Sequence, residues 1–335
     1  VVYESRAVLA HLSDVERVIG SNDTIYQLGT FSDPAGDWTV VLAICQAGNV
    51  DASVTASGAY RDFGSFDVQM FVGVAGSLKD DVPIGSVIIG NYVYNAHSAK
   101  VDDKGHYSRP HSHAAAPELL QAATMLILDE SWIDLIKPPS KATLPAIADY
   151  PCTYPPLADI KAIASGEQVV AGGKTQTYRD IRKFLSDAAA VEMEGWGAMT
   201  AAHQERTSAI IVRGISDMCA GKDHVTDKQL QPIASAHAAA FAFSILSVRS
   251  RASPTPSDEG DLHGRGDNDP KPKPTSDTRV EFIVNFKGTS SAWSEDEIQS
   301  IIERLRQTTG DPELTLVRVE EGSVRLVLSV LEKDL

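Results

Sequence analysis

Basic residues are scarce in this 335-residue chain: 30 lysines and arginines stand against 45 aspartates and glutamates, a formal net charge of −15. Nucleic acids and anionic membranes demand a basic face, so neither is expected as a partner. A local basic pocket for a small anion remains open. Cysteine is also rare. Cys45, Cys152 and Cys219 are odd in number and lack metal-ligand spacing, which suits a reducing, cytoplasmic setting without a disulfide framework. No apolar run reads as long enough to span a bilayer, and no signal peptide is visible. The sequon Asn22-Asp23-Thr24 therefore reads as chance. What remains is globular: 43% hydrophobic and 22% charged residues, enough for one large domain and a small one.

The organising stretch is 188–217. Glu192 and Glu194 end a short apolar run, and an extended backbone puts both on one side with Met193 on the other. A helix-like segment later, the β-branched run 210–215 ends in Ser216-Asp217. Two parallel strands joined by a helix would deliver their ends to one sheet edge. Ligands of open α/β sheets sit at that edge. Taken singly, Ser-Asp after a strand is equally a turn or a helix cap, and Glu-x-Glu a solvated edge.

Val191-Glu192-Met193-Glu194 followed by Arg213-Gly214-Ile215-Ser216-Asp217 resembles the nucleoside phosphorylase and nucleosidase superfamily, especially its methylthioadenosine/S-adenosylhomocysteine nucleosidase branch. The resemblance implies an α/β domain with a mixed central sheet flanked by helices. It places Glu194 on the ribose hydroxyls with Glu192 nearby, Met193 beneath the sugar, and Asp217, next to Ser216, as the acid that protonates purine N7. Cleaving an N-glycosidic bond builds positive charge on the ribose and negative charge on the base. A carboxylate near the sugar stabilises the first, and a protonated carboxylic acid the second. Such an acid needs a raised pKa, which burial among carboxylates provides. Glu4, after the short Val1-Val2-Tyr3 run, fits the family glutamate that activates water; an exposed first-turn helix glutamate is the other reading. Family members usually begin with a full apolar strand, here reduced to three residues ahead of that glutamate.

The same resemblance extends through the glycine turn before Asn49 and the segment 73–78, where Ala75 and Gly76 line the ribose or anion pocket. In 163–170 the segment facing the base carries Glu167 for the family's aspartate and Val169, beside Val170, where an aromatic is usual. Ser86 likewise replaces an aspartate. Phosphorylases carry an arginine just before the glycine loop; Met70-Phe71-Val72 stand there instead, so hydrolysis is expected over phosphorolysis.

Elsewhere, 24–31 and 38–45 read as a hairpin, 67–72 as a buried strand, and 117–129, 179–184 and 232–248 as helices. The segment 138–156 is a proline-rich loop with Tyr154 available to a pocket. His97, His106, His111 and His113 have irregular spacing and no cysteine partner, so no metal is expected. Lys100 and Arg109, with His97, form a candidate positive lobe for a nucleotide's phosphates; a solvated loop is the alternative. Gly173-Lys174-Thr175 is no P-loop, because Gln168 stands where glycine is required.

Residues 249–278 are proline, glycine, serine and charge, the composition of a disordered linker; Arg265-Gly266-Asp267 within it reads as accidental. The tail, 279–335, reads as a small α+β unit of βαββ order: an alternating strand from Val280 to Phe286, a helix opened by the capping box Ser294/Glu297, and a hairpin about 320–323. A unit this small associates with something. It faintly resembles the TRADD-N-type adaptors fused to immune effectors. The expected domains are thus 1–248, the linker, and 279–335. The expected activity is a purine N-glycosidase on an adenine nucleotide or nucleoside, with ATP favoured because related domains in immune effectors attack it. A methylthioadenosine nucleosidase, a phosphorylase and an inactive nucleotide-binding assembly module are the alternatives. No cofactor is implied; a homo-oligomer and a protein partner through 279–335 are.

Overall fold

Val2 and Tyr3, read from the sequence as part of a strand stub ahead of a helix, already belong to helix α1 (Val2–Leu9). The computed structural model describes residues 2–34, 36–103, 105–139, 155–221, 224–251, 279–286, 306, 315–320 and 324–331. The chain divides into two compact units, Val1–Ser257 and Asp258–Leu335.

After α1 come β1 (Ser13–Ile19), β2 (Ile25–Asp33) and β3 (Gly36–Leu42), an antiparallel sheet that contains the expected hairpin. Helix α2 (Asn49–Phe63) starts at Gly48, whose φ of 114° suits only glycine. Next lie β4 (Val68–Ser77), β5 (Val87–Asn95), the small hairpin β6 (Ala99–Asp102) and β7 (Gly105–Ser108), then β8 (Ser112–Ala114) and α3 (Pro117–Asp129). Proline at the start of α3 fits its missing N–H. The series ends with β9 (Ala158–Ser165), α4 (Gln176–Phe184), β10 (Ala188–Glu192), α5 (Gly195–Gln204), β11 (Ser208–Met218) and α6 (His224–Arg251).

The central sheet has the order β11-β4-β10-β9-β5-β8, and β11 also pairs with β5. Five strands therefore close on themselves, where an open sheet was expected. Strands β5, β9 and β10 run parallel to one another, as do β4 and β11. The two sets meet antiparallel, at β10–β4 and β5–β11. The motif strands β10 and β11 are thus not a parallel pair. They still converge, because β4 ends between them.

Strand β11 is buried from Ala209 through Asp217, and its β-branched side chains pack into cores on both faces. Helix α6 covers one face with Ala238, Phe241 and Ile245. It starts eight residues before the expected 232 and passes the expected end of the first domain. Its segment Gln229–Arg249 is long and apolar enough to cross a membrane, contrary to the expectation that no run is, but 89% of its apolar window is buried in the protein. Its alanines, Ala238 and Ala240 among them, let it pack closely on the sheet.

The glycine segment 73–77, expected as a loop, continues β4 as strand. Residues 140–154 of the proline-rich loop lie outside the described residues. In the second unit, β12 (Arg279–Phe286), β13 (Thr315–Glu320) and β14 (Val324–Leu331) form a sheet of order β12-β14-β13, antiparallel at both junctions. The helix expected from Ser294 falls outside the described residues except for residue 306.

Candidate active site

Gly76 in β4 pairs with Val191 of β10 on one side and with Asp217 of β11 on the other. The two sequence motifs thus meet across one glycine. The register slips between Ile215 and Asp217, so Ser216 is an extra residue in the ladder. Such a bulge re-aims the side chain that follows. Asp217 is buried, and the Ser216 hydroxyl donates to its Oδ2 at 3.3 Å. A Cβ on Gly76 would come within 2.9 Å of Asp217 Oδ1 and 2.5 Å of Cys219 Sγ. Only glycine leaves room for the aspartate.

Arg213, four residues before Asp217, is 1% exposed. A guanidinium buried so deeply needs opposite charge. Glu192 pairs with it directly, Glu194 Oε2 lies at 3.5 Å and Glu4 Oε1 at 4.0 Å, and its flat face rests on Phe71, 4.3 Å from the ring centre. Burial works against the arginine's charge, yet the three carboxylates outweigh it and hold its pKa above the ordinary value. Glu194 is pushed up, first by burial and then by Glu192, with Arg213 pulling the other way. Burial, then the Glu194 charge, raises the Cys45 thiol to about 11.

Each carboxylate has its own backbone anchor. Glu4 accepts the Val74 N–H at 2.9 Å, so the first turn of α1 is tied to β4. Glu192 accepts the N–H groups of Glu194 and Gly195, at the N-terminus of α5, where the helix dipole favours negative charge. Glu194 accepts the Gly48 N–H at 3.4 Å. The expectation that Glu192 and Glu194 share a side is thereby corrected. The strand stops at Glu192, whose oxygens are taken up by α5 and Arg213, while Glu194 turns toward the start of α2.

A cavity of about 270 Å³ joins these groups. Glu4, Glu192, Met193, Glu194, Ser216 and Asp217 line it, as do Ala75, Gly76, Val169 and Val170. Val169 is 60% exposed and Val170 is buried, so the first sits at the mouth and the second in the wall. Arg213 also lines it and is its single cation among the described residues.

Lys100 and Arg109 do not line the cavity. Lys100 pairs with Asp102 at 2.9 Å on the exposed hairpin, and the Arg109 N–H donates to the Ser98 carbonyl. The proposed phosphate lobe therefore lies away from this cavity, because β6 and β7 form a separate two-stranded sheet. Of the histidines, the His97 ring accepts the Glu167 N–H, and the His113 ring packs tilted against Trp196 at 4.2 Å between centroids.

Sequence reasoning gave Arg213 and Asn49 no role. Asn49 Oδ1 accepts from the Ser165 hydroxyl and the Gly197 N–H, and its Nδ2 donates to the Gly166 carbonyl at 3.4 Å. It ties together the starts of α2 and α5 and the end of β9. Arg213 did carry a readable signal: a charge inside a buried β-branched run must be paired. Asn49 had none, since its partners are more than a hundred residues away.

A family model described as the phosphorylase superfamily matches residues 10–247. Among curated proteins, the 5′-methylthioadenosine/S-adenosylhomocysteine nucleosidase of Staphylococcus epidermidis is 24% identical over 192 residues, covering 56% of this chain and 72% of that protein. The ATP nucleosidase Cap17 of Escherichia coli is 29% identical over 211 residues, covering 60% of this chain; the match spans 39% of that longer protein. Among solved structures, the Neisseria meningitidis methylthioadenosine/S-adenosylhomocysteine nucleosidase with methylthio-immucillin-A aligns at TM-score 0.58 and 22% identity, over 74% of this chain and 96% of that one. The Helicobacter pylori futalosine hydrolase aligns at TM-score 0.57 and 17% identity, over 73% and 94%. At these identities the structural matches speak for the fold.

Proposed function

The chain belongs to the phosphorylase superfamily, and from that premise we propose that it is a hydrolytic N-glycosidase of purine nucleosides or nucleotides. The observation that carries this reading is the division of acidic groups about Gly76. Glu4, Glu192 and Glu194 surround Arg213 on one side and Asp217 lies on the other, all on one cavity. In the proposed reaction the C1′–N9 bond breaks as Asp217 passes a proton to N7 of the departing purine. Glu194 holds the ribose hydroxyls and stabilises the positive charge growing on the sugar. Glu4 takes a proton from water, whose oxygen bonds to C1′. Arg213 offsets the charge of the clustered carboxylates and holds them in place. Met193 packs against the sugar.

Two substrates compete. ATP is supported by the similarity to a protein named as an ATP nucleosidase and by fusion to a second unit, which suits an effector better than a free-standing salvage enzyme. An uncharged nucleoside is supported by the cavity itself, whose one described cation is already engaged by three carboxylates. The assay is direct: incubate the protein with ATP, adenosine or methylthioadenosine and resolve free adenine by chromatography. Adenine from ATP favours the first reading, and adenine from methylthioadenosine alone the second. Turnover that requires added phosphate would replace hydrolysis by phosphorolysis. No adenine from any of the three, with retained binding, would leave an inactive nucleotide-binding module.

A further inference from the structure

Strand β9 stops at Ser165, but its pairing runs one residue further. The Gly166 N–H donates to the Glu192 carbonyl at 3.0 Å, and the Ala96 N–H to the Ser165 carbonyl at 2.8 Å. Past that point the chain leaves the sheet and becomes a wall of the cavity, lined by Gln168, Val169 and Val170. Backbone outside a ladder must find other partners for its N–H groups. Among the described residues, only one backbone N–H from 167 to 172 donates a hydrogen bond to protein. It belongs to Glu167, and its acceptor is Nδ1 of His97 at 3.0 Å.

The ring is set to meet that N–H. His97 lies two residues past β5, and its own N–H donates to Asn95 Oδ1 at 3.1 Å, which ties the turn to the strand end. A Cβ on Gly166 would come within 2.7 Å of the ring's Cε1 and 3.2 Å of its Nδ1, so glycine there lets the ring reach its partner. An amide N–H can only donate. Nδ1 therefore carries no proton, and the neutral ring holds its hydrogen on Nε2. The other ties of the wall run through its side chains. The Glu167 carboxylate accepts the Asn49 N–H at 3.2 Å, and Gln168 Oε1 accepts the Thr177 hydroxyl at 2.6 Å. The reacting carboxylates are anchored elsewhere, Glu4 on Val74, Glu194 on Gly48 and Asp217 within β11.

We propose that His97, which does not itself line the cavity, is a positioning residue that fixes the main chain at Glu167 and so holds the wall from Gln168 to Val170 against the purine. That the ligand is a purine rests on the proposed reaction; the hydrogen bond does not. Without its acceptor the wall moves more freely and has to be ordered each time a ligand binds. The loss falls on binding rather than on proton transfer, because Asp217 and Glu194 keep their own anchors. It also falls equally on ATP, adenosine and methylthioadenosine, which share the base.

The test compares the full chain with His97→Ala, His97→Asn and Gly166→Ala. His97→Ala should raise KM for adenine release by about 10-fold and change kcat by less than about 3-fold, the pattern of lost binding. Hydrogen exchange read by mass spectrometry should quicken by about 10-fold in peptides covering 166–172. Asparagine Oδ1 can stand where Nδ1 stands, so His97→Asn should restore both. Gly166→Ala displaces the ring and should match His97→Ala, with no further loss in the double variant. A KM rise confined to ATP overturns the inference, since the ring would then be meeting phosphates. A fall in kcat at constant KM, unchanged exchange in His97→Ala, or no rescue by asparagine does so too. If the wild type releases no adenine from any of the three, the proposed reaction fails, and exchange over 166–172 with its asparagine rescue still decides the role of His97.

Discussion

Arg213 is the residue on which the most charge depends. Replacing it with methionine keeps much of the volume but strands Glu192, whose side chain is 1% exposed, without its counter-ion. Removing one member of a buried ion pair costs about 3–5 kcal/mol, so Arg213→Met should lower the urea midpoint sharply, with circular dichroism reading the loss. Asp217→Asn should behave oppositely. The amide is nearly isosteric and cannot protonate the leaving base, so the fold should persist while adenine release falls by about 10²–10⁴-fold. Retained adenosine binding by calorimetry, beside lost turnover by chromatography, separates the two effects. Glu194 gives a pH signature. Its folded pKa is raised above the ordinary 4.5 by burial, then by Glu192 against the pull of Arg213. Its neutral form therefore favours the folded state, a contribution present below the unfolded pKa and lost as pH rises through the folded one. Glu194→Gln should remove that fall, measured as urea stability against pH upward from 4.5.

Among the elements, α1 and α6 meet through a histidine. His11, just past α1, stacks on Phe243 of α6 at 4.5 Å, and burial, with the Lys137 charge adding to it, lowers its pKa to about 4. The folded protein keeps this ring neutral where the unfolded chain would charge it. Its contribution is present above pH 6.5 and is lost as pH falls toward 4. Thermal melts of wild type and His11→Phe across that window should converge in slope elsewhere and differ within it. The helices α3 and α4 and the early hairpin were legible because apolar period, capping and turn residues are local signals. The length of β4 was not. Gly73 and Gly76 read as loop residues, yet they lie in strand, paired with Arg213 and Asp217 of β11, and they are glycine because the side chains of Glu4, Arg213, Asp217 and Cys219 occupy the space a Cβ would need. Gly76→Val should accordingly abolish adenine release with a smaller loss of helical signal than Arg213→Met produces.

For the molecule as a whole, the two compact units and the composition of 249–278 support a catalytic unit tethered to a separate small module. Brief proteolysis should cut between them, and the fragment ending near residue 257 should retain the full chain's adenine release at equal molar concentration. A fragment that loses activity would show that the second unit acts on the site. Net acidity, spread over both units, does not locate any ligand. The candidate phosphate lobe illustrates why: Lys100 and Arg109 are close in sequence to segments of the site, but the β6–β7 hairpin carries them away from it.

By itself the sequence determined the family-like motifs, the mixed α/β class and the identity of the acidic residues, since each is written in a few adjacent positions. Tertiary structure alone decided their arrangement. The closure of the sheet, the antiparallel meeting of β10 with β4, and the bulge at Ser216 bring Glu4, Glu194 and Asp217 to one cavity. Burial then turned Arg213 from a neighbour in a motif into the counter-charge of the cluster. Pairing across more than a hundred residues leaves no local trace, because its energy exists only once distant strands have excluded water together.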